Sequence, residues 1–124
     1  MAAKSTSGKR ETHLGFSLKE FQRLWEQHPD SLVFAPLADA LREFGDLDGA
    51  LSVCRAGLEK HPHYLGGLVA LGKLQAERGE TDEARDLLER VLTHSPHNYM
   101  AAGILREIYR QTDEQEKLLS LIHI

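Results

Sequence analysis

Two stretches of this chain read as one stretch written twice. "SLVFAPLADALREFGDLDGALSVCRAGLEKHP" (31–62) and "LGGLVALGKLQAERGETDEARDLLERVLTHSP" (65–96) align without a gap, thirty-four residues apart. Leu37 falls on Leu71, Leu41 on Gln75, Gly45 on Gly79, Ala50 on Ala84, Leu58 on Leu92 and Pro62 on Pro96. A third copy opens at "YMAAGILREIYRQTDEQEKL" (99–118), with Leu105 under Leu71 and Tyr109 under Gln75. A period of this length has room for one pair of helices. Such a pair cannot bury its own apolar face, so copies must stack to make a core.

Each copy carries its own punctuation. Phe34, Leu37 and Leu41 recur at helical spacing. Gly45 and Gly79 follow, suited to the left-handed conformation that ends a helix. Acidic turns come next, "GDLDGA" and "GETDEA", in which Asp46 and Asp48, or Thr81 and Asp82, are placed to cap the second helix. Ala50 and Ala84 are small enough for a close helix crossing. Leu58, Val91 and Leu92 are expected to bury the second helix, and a proline closes the unit. Ahead of the repeats, "GFSLKEFQRLWEQHPD" predicts one further helix. Ser17 and Glu20 form a capping box, Phe16 staples onto Phe21, Leu18, Phe21, Leu24 and Trp25 make the apolar stripe, and Pro29 ends the run. Pro36 lies about six residues after a candidate cap at Asp30. It therefore predicts a late helix start near Phe34, with "SLVF" partly extended.

These motifs resemble the tetratricopeptide repeat. Leu68, Leu71, Gly72, Ala84, Leu88 and Pro96 carry the resemblance in repeat two. Phe34, Leu37, Ala38, Leu41, Ala50, Cys54 and Pro62 carry it in repeat one. Gln75 departs from it where an aromatic is usual, and Arg106 and Asp113 stand where glycines are usual. The resemblance implies an all-α fold: a right-handed α-solenoid of antiparallel helix pairs. The expected organisation is a disordered lead-in over 1–15 and a repeat domain over 16–118. The domain divides into a preceding helix (16–29), repeat one (31–62), repeat two (65–96) and a partial repeat three (99–118).

In that family the first helix of each repeat lines a concave groove that receives an extended peptide or a partner helix. By register the groove-facing residues are Leu32, Ala35, Asp39, Arg42 and Glu43, then Val69, Lys73, Ala76 and Glu77, then Met100, Gly103, Glu107 and Arg110. The best-known groove of the family holds a chaperone's C-terminal carboxylate through basic and amide side chains. Ala35, Val69 and Gly103 occupy one set of those positions, so recognition of a chaperone tail is not expected. A solvated, mixed-charge helix face is the plain alternative for the whole set.

Other chemistry is weakly supported. The formal net charge is -4, and nucleic-acid binders usually present a basic face. No apolar run approaches the length of a membrane span, and "MAAKSTSGKRETHLG" has no apolar signal core. Cys54, the single cysteine, falls on a predicted buried face and suits a reducing compartment. His28, His61, His63, His94 and His97 flank the repeat-closing prolines, yet a zinc site needs three or four converging ligands, and turn filler is the simpler account. "LGGL" (65–68) has no phosphate-loop lysine. No catalytic residue, cofactor or metal is expected. The chain is read as a bacterial, cytoplasmic, non-enzymatic scaffold that binds a protein or peptide partner. The alternative is a structural or regulatory segment of a longer protein joined to an enzymatic or secretion module.

The ending "LSLIHI" (119–124) breaks the register, since Leu118 stands where Ala50 and Ala84 predict alanine. The string matches the translation of a transposon end used in sequencing libraries. It is expected to be non-native, with the natural chain continuing beyond Leu118. An apolar end to an incompletely capped third repeat would favour self-association.

Overall fold

The computed structural model describes residues 17–114 together with Lys117 and Leu119. The lead-in, the Phe16 staple and most of the "LSLIHI" ending lie outside the described residues. Among the described residues the helices run in the order α1 (Leu18–Gln27), α2 (Phe34–Glu43), α3 (Leu47–Lys60), α4 (Leu65–Arg78), α5 (Thr81–His94) and α6 (Tyr99–Gln111). The chain divides into two units, Met1–Ala70 and Leu71–Ile124.

In the first unit α1 packs on α2, and α2 on α3. The capping box is present: the Ser17 amide donates to Glu20 Oε1 at 2.8 Å, and the Glu20 amide to Ser17 Oγ at 3.2 Å. Two otherwise orphaned amides at the helix start are thereby satisfied. Phe21 is buried, and Leu24 and Trp25 are half-buried.

α2 begins at Phe34, as Pro36 predicts. Pro36 is the third helical residue, where the missing amide would have had no intrahelical partner anyway. The preceding "SLVF" is not extended. Val33 is already helical at φ -66, ψ -12, and the Ala35 amide bonds the Leu32 carbonyl at 3.3 Å. A tight turn feeds the helix instead. Asp30 does not cap it, since the N-cap is Val33, with no side-chain bond. The Asp30 carboxylate holds Lys60 Nζ at 2.6 Å, and its carbonyl meets His61 Nε2 at 2.5 Å. The Lys60 hydrogen bond and charge draw the Asp30 carboxyl below the usual aspartate range.

The centre of this unit is Phe34, which is fully buried. His61 stacks on it at 6.3 Å and Tyr64 meets it edge-on at 5.9 Å. Two glycines make room for the ring. A Cβ at Gly57 would run into its ring atoms, and one at Gly67 would lie 2.8 Å from them. Cys54 is also fully buried, its Sγ 3.4 Å from the Gly67 carbonyl.

In the second unit α5 packs on α6. Ala84, Leu88 and Leu105 form its centre. A Cβ at Gly72 would sit 2.8 Å from Leu88, so that glycine serves close packing. Val91 is buried, whereas Leu58 (in the first unit) and Leu92 are only half-buried. Gln75 takes a buried position, and its Oε1 has no hydrogen-bond partner among the described residues.

The three turns after α2, α4 and α6 share one geometry. Gly45 and Gly79 adopt φ of 90° and 92°, and Asp113 takes the same role at φ 59°. In each, the next amide bonds back across the whole turn: Asp46 to Leu41 (2.9 Å), Glu80 to Gln75 (2.8 Å) and Glu114 to Tyr109 (2.8 Å). That is the Schellman arrangement, which satisfies carbonyls left over at a helix end. The second-helix caps are less uniform. Asp46 accepts from the Gly49 amide at 2.9 Å. At α5 the N-cap is Glu80, with no side-chain cap. Thr81 lies inside the helix, so the expected Thr81 or Asp82 cap is replaced by the charges of Asp82 and Glu83 in the first turn.

Candidate functional site

The register places candidate partner-contacting residues on the first helix of each copy. In the first unit, Leu32 lies in the turn before α2 and is 42% exposed. Asp39 and Arg42 are half-buried and paired, with Arg42 Nη2 and Nε each 3.0 Å from Asp39 Oδ1. Glu43 is half-buried beside them. Ala35 and Val69 face the core at 9% and 5% exposure, so they present little surface to any partner. Helical spacing assigned them to the same stripe as Asp39. The stripe is narrower than the register implies, because Ala35 lies toward the packed side of α2.

In the second unit, Lys73 and Ala76 are half-buried and Glu77 is exposed. On α6, Met100 is 61% exposed, and Gly103 leaves open space where a side chain would be. Glu107 and Arg110 are exposed and paired at 2.8 Å, with Gln111 Nε2 3.4 Å from the same carboxylate. Asn98 caps this helix by accepting from the Ala101 amide at 3.1 Å. Sequence reasoning missed Tyr99, which is 76% exposed at the first position of α6. The signal was present: an aromatic directly after an Asn cap, with Met100 next to it, starts a helix with two large apolar groups outside the buried stripe.

Both faces therefore offer the same kind of chemistry. The α2 and α6 faces each carry an acid–base pair at i, i+3 spacing within the helix itself. Each also has a large apolar side chain near the helix start. Such faces favour neither a polyanion nor a polycation.

Nucleophilic chemistry has no support here. Burial, opposed only weakly by the charge of Arg55, pushes the Cys54 thiol up to about 12. At neutral pH the reactive thiolate is therefore scarce. Two of the turn histidines are engaged singly: His61 by Asp30 and Phe34, and His94 Nδ1 by the Arg90 carbonyl at 3.0 Å. Among the described residues, no three His, Cys, Asp or Glu side chains stand together in a way that could hold a metal ion. Also among them, no helix is long and apolar enough to cross a membrane.

A family model described as the tetratricopeptide repeat matches residues 41–108. Solved structures of the same fold are similar. The first TPR domain of human RPAP3 aligns with TM-score 0.70 at 21% identity, over 81% of this chain and 80% of that one. The first TPR of Spaghetti (RPAP3) bound to the HSP90 peptide SRMEEVD aligns with TM-score 0.69 at 21% identity, over 77% of each chain. A thermophilic TPR protein of Thermus thermophilus, TTC0263, aligns with TM-score 0.74 at 23% identity, over 84% of this chain and 59% of that one. At these identities the likeness shows the fold. A comparison with curated protein sequences finds no match.

Proposed function

This chain belongs to the tetratricopeptide repeat family, and from that premise we propose that it is a non-enzymatic scaffold that captures a peptide or helix of a protein partner. Contact is made on the exposed first-helix faces. The observation that carries this reading is the α6 face. There Tyr99 and Met100 stand exposed beside the open space over Gly103, with Glu107 and Arg110 one to two turns on. Large apolar groups left in water next to paired charges are what an interface uses as its anchor and rim. A similar structure with a bound HSP90 peptide supports peptide capture in general. The partner proposed here is not a chaperone tail, since Ala35 and Val69 are buried and Gly103 has no side chain to offer a carboxylate. A reducing, cytoplasmic setting is proposed with it, on the ground of the single buried thiol.

The test is quantitative capture from a lysate by the intact protein, followed by identification and titration of the bound protein. Arg42→Glu with Lys73→Glu, and separately Met100→Ala with Tyr99→Ala, should each weaken binding about tenfold or more, with helicity unchanged by circular dichroism. Arg55→Glu with Arg90→Glu, on the second helices, should leave it unchanged. Retained binding in the first two variants, with loss in the third, would reverse the assignment of faces.

A further inference from the structure

The outward face of α6 is open, and it complements itself. At about 3.6 residues per turn, Tyr99, Met100, Gly103, Arg106, Glu107 and Arg110 fall on one side of the helix, away from the stripe that buries Leu105 and Ile108. Along that side come first two large groups, then a notch, then charge. Tyr99 and Met100 are 76% and 61% exposed at the helix start. At Gly103 an added Cβ would meet nothing within 4 Å. Arg110 and Glu107, toward the helix end, are 60% and 55% exposed and paired at 2.8 Å. The matching stripe of α2 is closed by comparison. Asp39 and Arg42 are each 20% exposed, and Ala35, two periods before Gly103, is buried.

A partner for this face has to bring a cation to the Tyr99 ring and a long side chain to the space over Gly103. The face holds both, in the reverse order along the helix. Turned end for end about the middle of α6, one copy lays Arg110 beside Tyr99 and Met100 of another, and the stems of Arg106 and Glu107 over its Gly103. A guanidinium on an aromatic ring gains a cation–π contact. Met100 meets the aliphatic part of the arginine, and a residue without a side chain lets two helices approach closely. A two-fold axis makes every such contact twice. The parallel arrangement fails, because it sets Arg110 against Arg110, and like charges repel.

We propose that the outward face of α6 docks a second copy of this chain, the two α6 helices pairing antiparallel so that Tyr99 and Met100 of each meet Arg110 of the other across Gly103. The pairing rests on the reading of this face as a protein-binding surface, and it names the partner there.

Sedimentation velocity of the intact chain tests it, in a concentration series reaching about 1 mM, where small interfaces associate. The average mass should rise with concentration from that of one chain toward that of two. Tyr99→Ala and Arg110→Glu should each weaken the association about fivefold or more. Gly103→Gln should do the same by filling the notch. Its side chain meets nothing in its own chain and glutamine favours a helix over glycine, so its melting temperature should hold or rise. Loss of the dimer in that variant is therefore not loss of the fold. Arg42→Glu, on α2, should leave the association unchanged. Association retained in both Gly103→Gln and Arg110→Glu would overturn the pairing, since the copies would then meet elsewhere. A chain that stays single throughout the series would overturn it too. If that single chain still captured a partner that Tyr99→Ala with Met100→Ala releases, the face would remain a binding surface and only the second copy would be wrong. If the captured partner ignored that double variant, both readings of the α6 face would fall.

Discussion

Helices α3 and α5 occupy the same positions of the repeat and have the same length of 14 residues, but different chemistry holds them. α3 is seated by a large group against a small one: Phe34 lies over Gly57, with Gly67 making room on its other side. α5 has Val91 at the position of Gly57, and the residue one period after Phe34 is Leu68. The position that holds no side chain in α3 holds a buried valine in α5. α5 is also tied by charge along its length, through Arg85 and Glu89, whereas α3 is tied by Cys54, an aromatic cluster and one ion pair at its last residue, Lys60 with Asp30. The repeat specifies where the backbone goes. How each crossing is filled is a local solution.

That comparison breaks most visibly at the glycine. Gly57→Ala improves helix propensity by about 1 kcal/mol, but its new methyl runs into the Phe34 ring, which is walled in by Gly67, His61 and Tyr64. Overpacking of this kind should win, for a net loss of about 2–3 kcal/mol in chemical denaturation. Adding Phe34→Leu should recover more than about 1 kcal/mol of what the two single changes predict together. Strict additivity would show that the ring and the glycine are not coupled. The matching change in the other helix has the opposite size sense: Val91→Ala should lose about 2 kcal/mol by leaving a cavity. If Val91→Ala were neutral, α5 would be held by its charges more than by its packing.

The caps separate the two helices by a smaller margin. Asp46→Ala removes a side-chain acceptor from the Gly49 amide and should lose about 1 kcal/mol. Glu80→Ala removes no such bond, only a long contact to Arg78, and should change stability by less than about 0.5 kcal/mol. Equal losses would mean that Glu80 supports α5 through the charge it places at the helix start.

What could be read from the sequence was what repeats. The period located the helix pairs, Gly45 and Gly79 marked left-handed turns, Ser17 and Glu20 announced a capping box, and Pro36 set the start of α2. What could not be read depends on groups far apart in sequence or on one copy alone. Arg85 and Glu114 pair at 3.2 Å across different elements, and no periodicity links them. Asp30 looked like a cap because caps are local, yet its partners are Lys60 and His61, nearly a full repeat away. Ala35 and Val69 followed the register onto the candidate face, but register gives an angle around a helix. The width of the buried stripe is set by what packs against it. Tyr99 was overlooked for the opposite reason, since an apolar side chain reads as core until the structure shows it exposed.

The smallest effect tests the turns themselves. Asp113 adopts φ 59°, where Gly45 and Gly79 adopt 90° and 92°. A left-handed residue with a Cβ is strained by about 1–2 kcal/mol in general, and by less for Asp, whose side chain tolerates that region. Asp113→Gly removes the strain but adds freedom to the unfolded chain, at a cost of about 0.4–1 kcal/mol. The first term should narrowly exceed the second, so the variant should gain about 0.5 kcal/mol in a denaturant titration. Gly79→Asp runs the comparison in reverse and should lose a similar amount, since the backbone bond from Glu80 to Gln75 survives in either case. A loss on Asp113→Gly would show that the aspartate side chain contributes more than its backbone strain removes. The third turn would then be a site with its own chemistry, consistent with the bonds that Glu114, one residue later, makes to Arg85 and Thr112.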